Sequence, residues 1–464
     1  MQTMQTMRRT LTTEAAVLIA LALLTARDGA AQASAFATLY SFKGGPDGAS
    51  PNGVIFGENG ALYGTTYTGG ANTCGDGGYL CGTIFELTPA KGTAWTKTVL
   101  FSFNGADGAL PSENYAGSGG PGSKLVFGSN GALYGTTEGG GSGNNGGTDF
   151  ELAPPATPGG VWTESVLYSF PGGIDAPHMP FGGVLMGPSG ALYGTTFSNH
   201  YPQGGVADGG TVYELTASPS PGGSWTEKTL VSLSSAFGMN PLAGVIAMGG
   251  SLYGTTYFSA DGSGCGSAYE LSPPAIAGDA WTGTAVWNFV GPPSDGCGSA
   301  APLTVGPGGV LYGTTYYGGS GAVCYLGGCG TVFQLTPPTT KGGAWAETVI
   351  YSFTGVNGDG AYPAAGVILG KNGVLYGTTQ YGGGATSGSP CSFFGTTGCG
   401  TVFALTPPAT PGAAWTETIL HSFTGENGEG SIPGPLTMNA DGVLFGPSWT
   451  GGTAGKGTIF AIQP

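Results

Sequence analysis

Residues 61–66 read ALYGTT. The phrase returns as ALYGTT at 132 and 191, as SLYGTT at 251 and as VLYGTT at 310 and 374. A seventh, altered copy, VLFGPS, stands at 443–448. Its leucine falls at 62, 133, 192, 252, 311, 375 and 444, so one unit is written every 59 to 71 residues. Around the first copy the unit runs from Pro51 to Phe103. A short apolar run, GVIFG (53–57), turns through Asn59-Gly60 into ALYGTT; GTIFELTP (82–89) follows, then WTKTVLFSF (95–103). Asn-Gly between apolar runs is a strong hairpin signal, because both central residues take positive φ. The same corner recurs as Asn130-Gly131, Ser189-Gly190, Gly249-Gly250, Gly308-Gly309, Asn372-Gly373 and Asp441-Gly442. Each unit therefore predicts four short strands, a to d, and nothing in it has helical period.

Four strands per repeat of this length, seven times over, match the blades of a β-propeller. A β-solenoid is the competing architecture, but its coils are shorter and need caps at both ends. The strand count separates them. Strand c occurs seven times, from GTIFEL at 82 to GTIFAI at 457–462. The Trp-led strand d occurs only six times, opening at Trp95, Trp162, Trp225, Trp281, Trp345 and Trp415. The missing piece is at the other end of the chain, where ATLYSF (37–42) reads as the tail of a d strand with no unit before it. The expected fold is an all-β, seven-bladed propeller over 36–464, with residues 36–42 completing the last blade and removing the open sheet edges. The blades are expected near 43–103, 104–170, 171–233, 234–289, 290–353, 354–423 and 424–464.

LYGTT, the GTVFxLTP strand, the Trp-led YSF strand and the DGxxP turn together resemble a tandem-repeat family of exported bacterial proteins, the GloVer (Gloeobacter–Verrucomicrobia) repeat. The resemblance covers nearly the whole chain beyond the leader. It implies an extracytoplasmic propeller-like protein. It implies no reaction, and it supplies no catalytic residue to carry over.

Residues 1–35 read as a secretory signal peptide. Arg8 and Arg9 precede an apolar run from Ala15 to Leu24, and AAQASA offers cleavage after Ala33 or Ala35. That run is too short to cross a bilayer, which needs about 20 residues. The protein is accordingly expected to be secreted, at the periplasm or cell surface, with no membrane span in the mature chain. Of the 11 Lys and Arg, three are leader arginines, and of the 26 Asp and Glu, two are in the leader. The remainder therefore has eight lysines, no arginine and a net charge of about −16. Arginine forks grip phosphate and carboxylate, and basic patches bind nucleic acid. Nucleic acid is thus excluded as a partner, whereas a neutral glycan or a surface protein fits, bound by a monomer.

The b–c loops vary most, and variable loops on a rigid scaffold are where function concentrates. Eight cysteines in an exported chain predict disulfides. The expected pairs are Cys74–Cys81, Cys324–Cys329 and Cys391–Cys399, each within one b–c loop, and Cys265–Cys297 between a b–c and a d–a loop. Aromatics after strand b are candidate ligand contacts: Tyr67, Phe197, Tyr257, Tyr316, Tyr381 and Trp449, with Tyr201 and Tyr317 in the loops. Such rings stack on the apolar faces of sugars, or else they pack between blades. A carboxylate recurs before the d–a proline, at Asp47, Asp107, Asp175, Asp295, Asp359 and Glu429. It either caps a local turn or contributes to a Ca²⁺ site through hard oxygen ligands; no other cofactor or metal is indicated. His178 and His200, with Asp175 nearby, are the general-base candidates if the protein is a polysaccharide hydrolase or lyase. The main expectation is a non-catalytic binding propeller using its variable face.

Overall fold

The structure is a computed structural model. It describes residues 34–464 apart from 75–78, 91–94, 112–123, 143–144, 158, 173–178, 198–208, 219, 221–222, 234–236, 260–263, 277, 322, 341, 385–390, 394–395, 411 and 427. Seven antiparallel sheets of four principal strands follow one another around the chain, as the repeat predicts. In blade 1 strands a to d are Ala49–Phe56, Leu62–Thr68, Thr83–Pro89 and Trp95–Ser102. In blade 7 they are Thr437–Met438, Leu444–Gly451, Thr458–Gln463 and, from the other end of the chain, Ala35–Ser41.

Each letter of LYGTT has its own contact. Leucines 62, 133, 192, 252, 311, 375 and 444 are buried cores of their blades. The tyrosine reaches the next blade: Tyr63 meets Trp162 at 6.2 Å, Tyr193 meets Trp281 at 6.4 Å and Tyr312 meets Trp415 at 6.1 Å. In the first three blades its hydroxyl also donates to a glutamate of strand c, as Tyr63 Oη does to Glu86 Oε1 at 2.6 Å. The glycine lies under the aromatic of strand c; a Cβ on Gly64 would stand 2.8 Å from Phe85 Cζ, and on Gly313 2.4 Å from Phe333 Cζ. The first threonine stitches blades together. Thr195, Thr255, Thr314 and Thr378 donate to Ala243 O, Ala301 O, Ala365 O and Gly434 O of the following blade, at 3.0 to 3.2 Å. The second forms a rung inside the blade, Thr66 to Thr83 at 2.8 Å and Thr315 to Thr331 at 2.7 Å. Buried hydroxyls need such partners, since each unpaired one costs about 1–3 kcal/mol.

The seams between blades carry a second repeated device. The residue before the d–a proline has left-handed backbone at Ser50, Leu110, Met179, Asn240, Tyr362 and Ile432, with φ from 55° to 61°. Its amide donates across the seam to the carbonyl just ahead of strand c, as Ser50 N does to Lys456 O at 2.9 Å and Ile432 N to Cys399 O at 2.9 Å. The proline then abuts the glycine that opens that strand. Gly457, at φ 92°, would place a Cβ 2.4 Å from Pro51 Cδ, so the position is closed by both conformation and space. Left-handed backbone at a bulky residue costs about 1–3 kcal/mol; the hydrogen bond and packing of each tie offset it.

The ring closes as the strand count requires. Phe36 pairs with Ile462 and Ser41 with Thr458, with a bulge between Thr38 and Tyr40. The six Trp-led strands carry the same bulge against their c strands, for instance between Ile84 and Phe85 opposite Phe101 and Val99. The N-terminal piece is thus a genuine d strand. Phe36, at the place Lys97 holds in blade 1, stacks on His421 of blade 6 at 3.8 Å with an interplanar angle of 5°.

Candidate functional site

Strands b and d end on the same side of the ring, so the b–c loops and d–a turns share one face. All four expected disulfides form there: Cys74–Cys81, Cys265–Cys297, Cys324–Cys329 and Cys391–Cys399. Cys81, Cys265, Cys329 and Cys399 are also the residues whose carbonyls accept the cross-seam amide, so these bridges hold the loops at the points where blades are tied.

The aromatics that follow strand b divide by burial. Phe197, Tyr316 and Tyr381 are only 3%, 4% and 6% exposed. Phe197 packs on Phe181 at 5.1 Å, and Tyr316 donates to Gln380 Oε1 at 3.0 Å. Tyr67, Tyr257, Tyr317 and Trp449 are half-buried. Tyr67 and Trp449 meet across the closing seam at 5.3 Å between ring centroids. Tyr317 lies 6.5 Å from Tyr325, which is 50% exposed. Tyr201 lies outside the described residues, as do the candidates Asp175, His178 and His200.

The recurring carboxylates cap their own turns. Asp47 Oδ2 accepts from Lys43 N, Asp107 Oδ1 from Asn104 N, Asp359 Oδ2 from Thr354 N and Glu429 Oε2 from Thr424 N, at 2.7 to 2.9 Å. Each turn also faces the outer strand of the next blade. Lys97 pairs with Asp47 at 3.2 Å. In its place blades 2, 5 and 6 carry Glu164, Glu347 and Glu417, which meet Asp107, Asp295 and Asp359. Burial, and then the neighbouring carboxylate, pushes Glu164 up to about 8 and Glu347 and Glu417 to about 7. At neutral pH these glutamates are partly protonated. Among the described residues no three His, Cys, Asp or Glu side chains come together as a metal site.

A feature that sequence reasoning missed lies on the axis. Strands a surround a cavity of about 200 Å³. At the residue before the first core position of strand a, six blades have Gly53, Gly183, Gly244, Pro302, Gly366 and Pro435; blade 2 has Lys124. Its side chain runs over Gly53, where an added Cβ would lie 2.8 Å from Lys124 Cγ, and Nζ donates to Leu436 O of blade 7 at 2.6 Å. Burial lowers the Lys124 ammonium to about 8. The lysine keeps some accessible surface, and the cavity is what it lines. The signal was present in the aligned repeats: one charged residue in a column of glycine and proline.

No curated protein matches this chain. Among solved structures it is similar to a candidate oxidoreductase (glucose dehydrogenase) from Thermus thermophilus, at 13% identity over 93% of this chain and 100% of that one, with a TM-score of 0.42. A gluconolactonase from Xanthomonas campestris aligns at 12% identity over 96% of this chain and 93% of its own, with a TM-score of 0.37. Similarity at that level carries no inference about what this chain does. The model of the Gloeobacter/Verrucomicrobia repeat, by contrast, matches residues 120–391, more than half of the 464, and the chain belongs to that repeat family.

Proposed function

We propose that this protein is a secreted, non-catalytic binding propeller whose variable face contacts a neutral glycan or the surface of another protein. The observation that carries the reading is the set of half-buried rings on that face, above all Tyr67 against Trp449 at 5.3 Å. Aromatic faces held by packing lose little entropy on binding and stack on apolar sugar faces. Four disulfides hold the surrounding glycine-rich loops. They also suit an oxidising, extracytoplasmic setting, and no helix among the described residues is long and apolar enough to cross a membrane. The absence of arginine beyond the leader favours an uncharged partner on this face.

A glycan array probed with the full chain and with Tyr67→Ala/Trp449→Ala tests this. Binding to one or more neutral glycans that the double variant loses by at least about tenfold, with unchanged thermal unfolding, is the expected result. An array on which the unaltered chain binds nothing, together with no protein captured by the same face, would overturn it.

A further inference from the structure

The axial cavity and the variable face are separate features, and the cavity carries its own chemistry. Lys124 is the one charged residue among its described lining residues, and none of the others is acidic. The Nζ bond goes to a backbone carbonyl, Leu436 O, and no carboxylate is among the groups that act on its ionisation. A buried cation without a counter-charge costs free energy unless something compensates it. Nothing in the fold of the other blades demands the residue, since glycine or proline fills the corresponding place six times. The walls beside it are aliphatic, formed by Val126, Val184, Leu185, Val245, Val367 and Ile368. A space of about 200 Å³ holds roughly six or seven waters at about 30 Å³ each, or an organic molecule of a few carbons.

We propose that the axial cavity is a binding site for a small aliphatic carboxylic acid, whose carboxylate pairs with the Lys124 ammonium while its carbon chain lies against the aliphatic walls. A single ammonium suits a monoanion; a phosphate dianion would leave charge unpaired in an apolar space. The overall negative charge does not forbid an anion here, because charges on the rim are screened over about 8 Å at physiological ionic strength. Occupancy would stabilise the charged lysine and thereby link blade 2 to blade 7 more firmly than the carbonyl contact alone.

The test is calorimetric titration of the full chain with butyrate and lactate, with 1-butanol as the neutral isostere and inorganic phosphate as the competing anion. The expected result is a Kd below about 1 mM for at least one carboxylate, with butanol and phosphate each weaker by about tenfold or more. Lys124→Met keeps the apolar stem and should weaken carboxylate binding by at least about tenfold. In the unaltered chain, affinity should fall about tenfold per pH unit above about pH 8 as the ammonium loses its proton. That measurement stands even if Lys124→Met does not fold. The proposal is overturned if neither carboxylate binds below about 10 mM, or if butanol or phosphate binds as tightly. It is equally overturned if affinity is flat from about pH 7 to about pH 10, or if Lys124→Met binds unchanged; the lysine is then a crossbar between blades and nothing more.

Discussion

A methyl group added at Gly313 would sit 2.4 Å from the end of the fully buried Phe333 ring. Gly313→Ala should therefore lower stability in denaturant unfolding by about 2–3 kcal/mol, the cost of overpacking a core. Trimming the ring in Gly313→Ala/Phe333→Leu should recover part of that loss. An unchanged midpoint in the single variant would show that the glycine is there for another reason. At this scale the sequence displayed the pattern without its causes. The repeated Gly could be read as a requirement, yet nothing in LYGTT names the aromatic of strand c as the group it makes room for. The two threonines look alike in sequence, but one stitches neighbouring blades and the other braces its own. Lys124 gave no sign in its local context, because one lysine in a loop entry is ordinary; it becomes unusual only against the glycines and prolines of the other six blades.

At the scale of elements, the strands were legible because the same short apolar runs recur in every unit and the corner between strands a and b carries Asn-Gly or its equivalents. The left-handed residue before the d–a proline was not, because Ser50, Leu110, Met179 and Tyr362 share no side-chain property. What they share is a backbone hydrogen bond across a seam, which leaves no mark on residue type. The disulfides were legible by spacing within loops. Their contributions should differ by the loop each closes. Cys265–Cys297 spans 32 residues and joins segments of blades 4 and 5, whereas Cys324–Cys329 spans 5. Chain entropy assigns about 3–4 kcal/mol to the first and about 2 kcal/mol to the second. Paired Cys→Ala variants compared by equilibrium unfolding should follow that order; the reverse order would contradict it. The histidines proposed as a general base, His178 and His200, fall outside the described residues, so the fold adds nothing to that reading.

At the scale of the whole molecule, buried acids set the response to pH. Asp149, whose fully buried carboxyl accepts from Tyr213 at 3.0 Å, is pushed up to about 8 by burial, and Glu164, Glu347 and Glu417 to about 7 or 8. The native state holds these protons while the unfolded chain releases them near its ordinary carboxylate pKa of about 4. Stability is then greatest at the acid end of that window and falls as pH rises from about 4 to about 8. Glu429 opposes the trend: although burial alone would raise it, the bond with His421 holds it well below the usual range, so its contribution is lost in acid. Burial raises Asp107 and Asp359 as well, so six carboxyls stand against one, and Tm should be higher near pH 5 than near pH 8. Asp149→Val should flatten part of that slope, and an unchanged slope would remove Asp149 from the account.

Every statement about faces, seams and the axis depends on a closed ring, in which Ala35–Ser41 is the outer strand of the blade that Thr458–Gln463 belongs to. Hydrogen exchange on the full chain tests this most directly. The amides that Phe36–Ser41 commit to the sheet should exchange as slowly as those of Trp95–Ser102 in blade 1, in a single cooperative unit with the C-terminal strand. Exchange of residues 36–41 at the rate of a free tail, while residues 458–463 stay protected, would contradict the closed propeller.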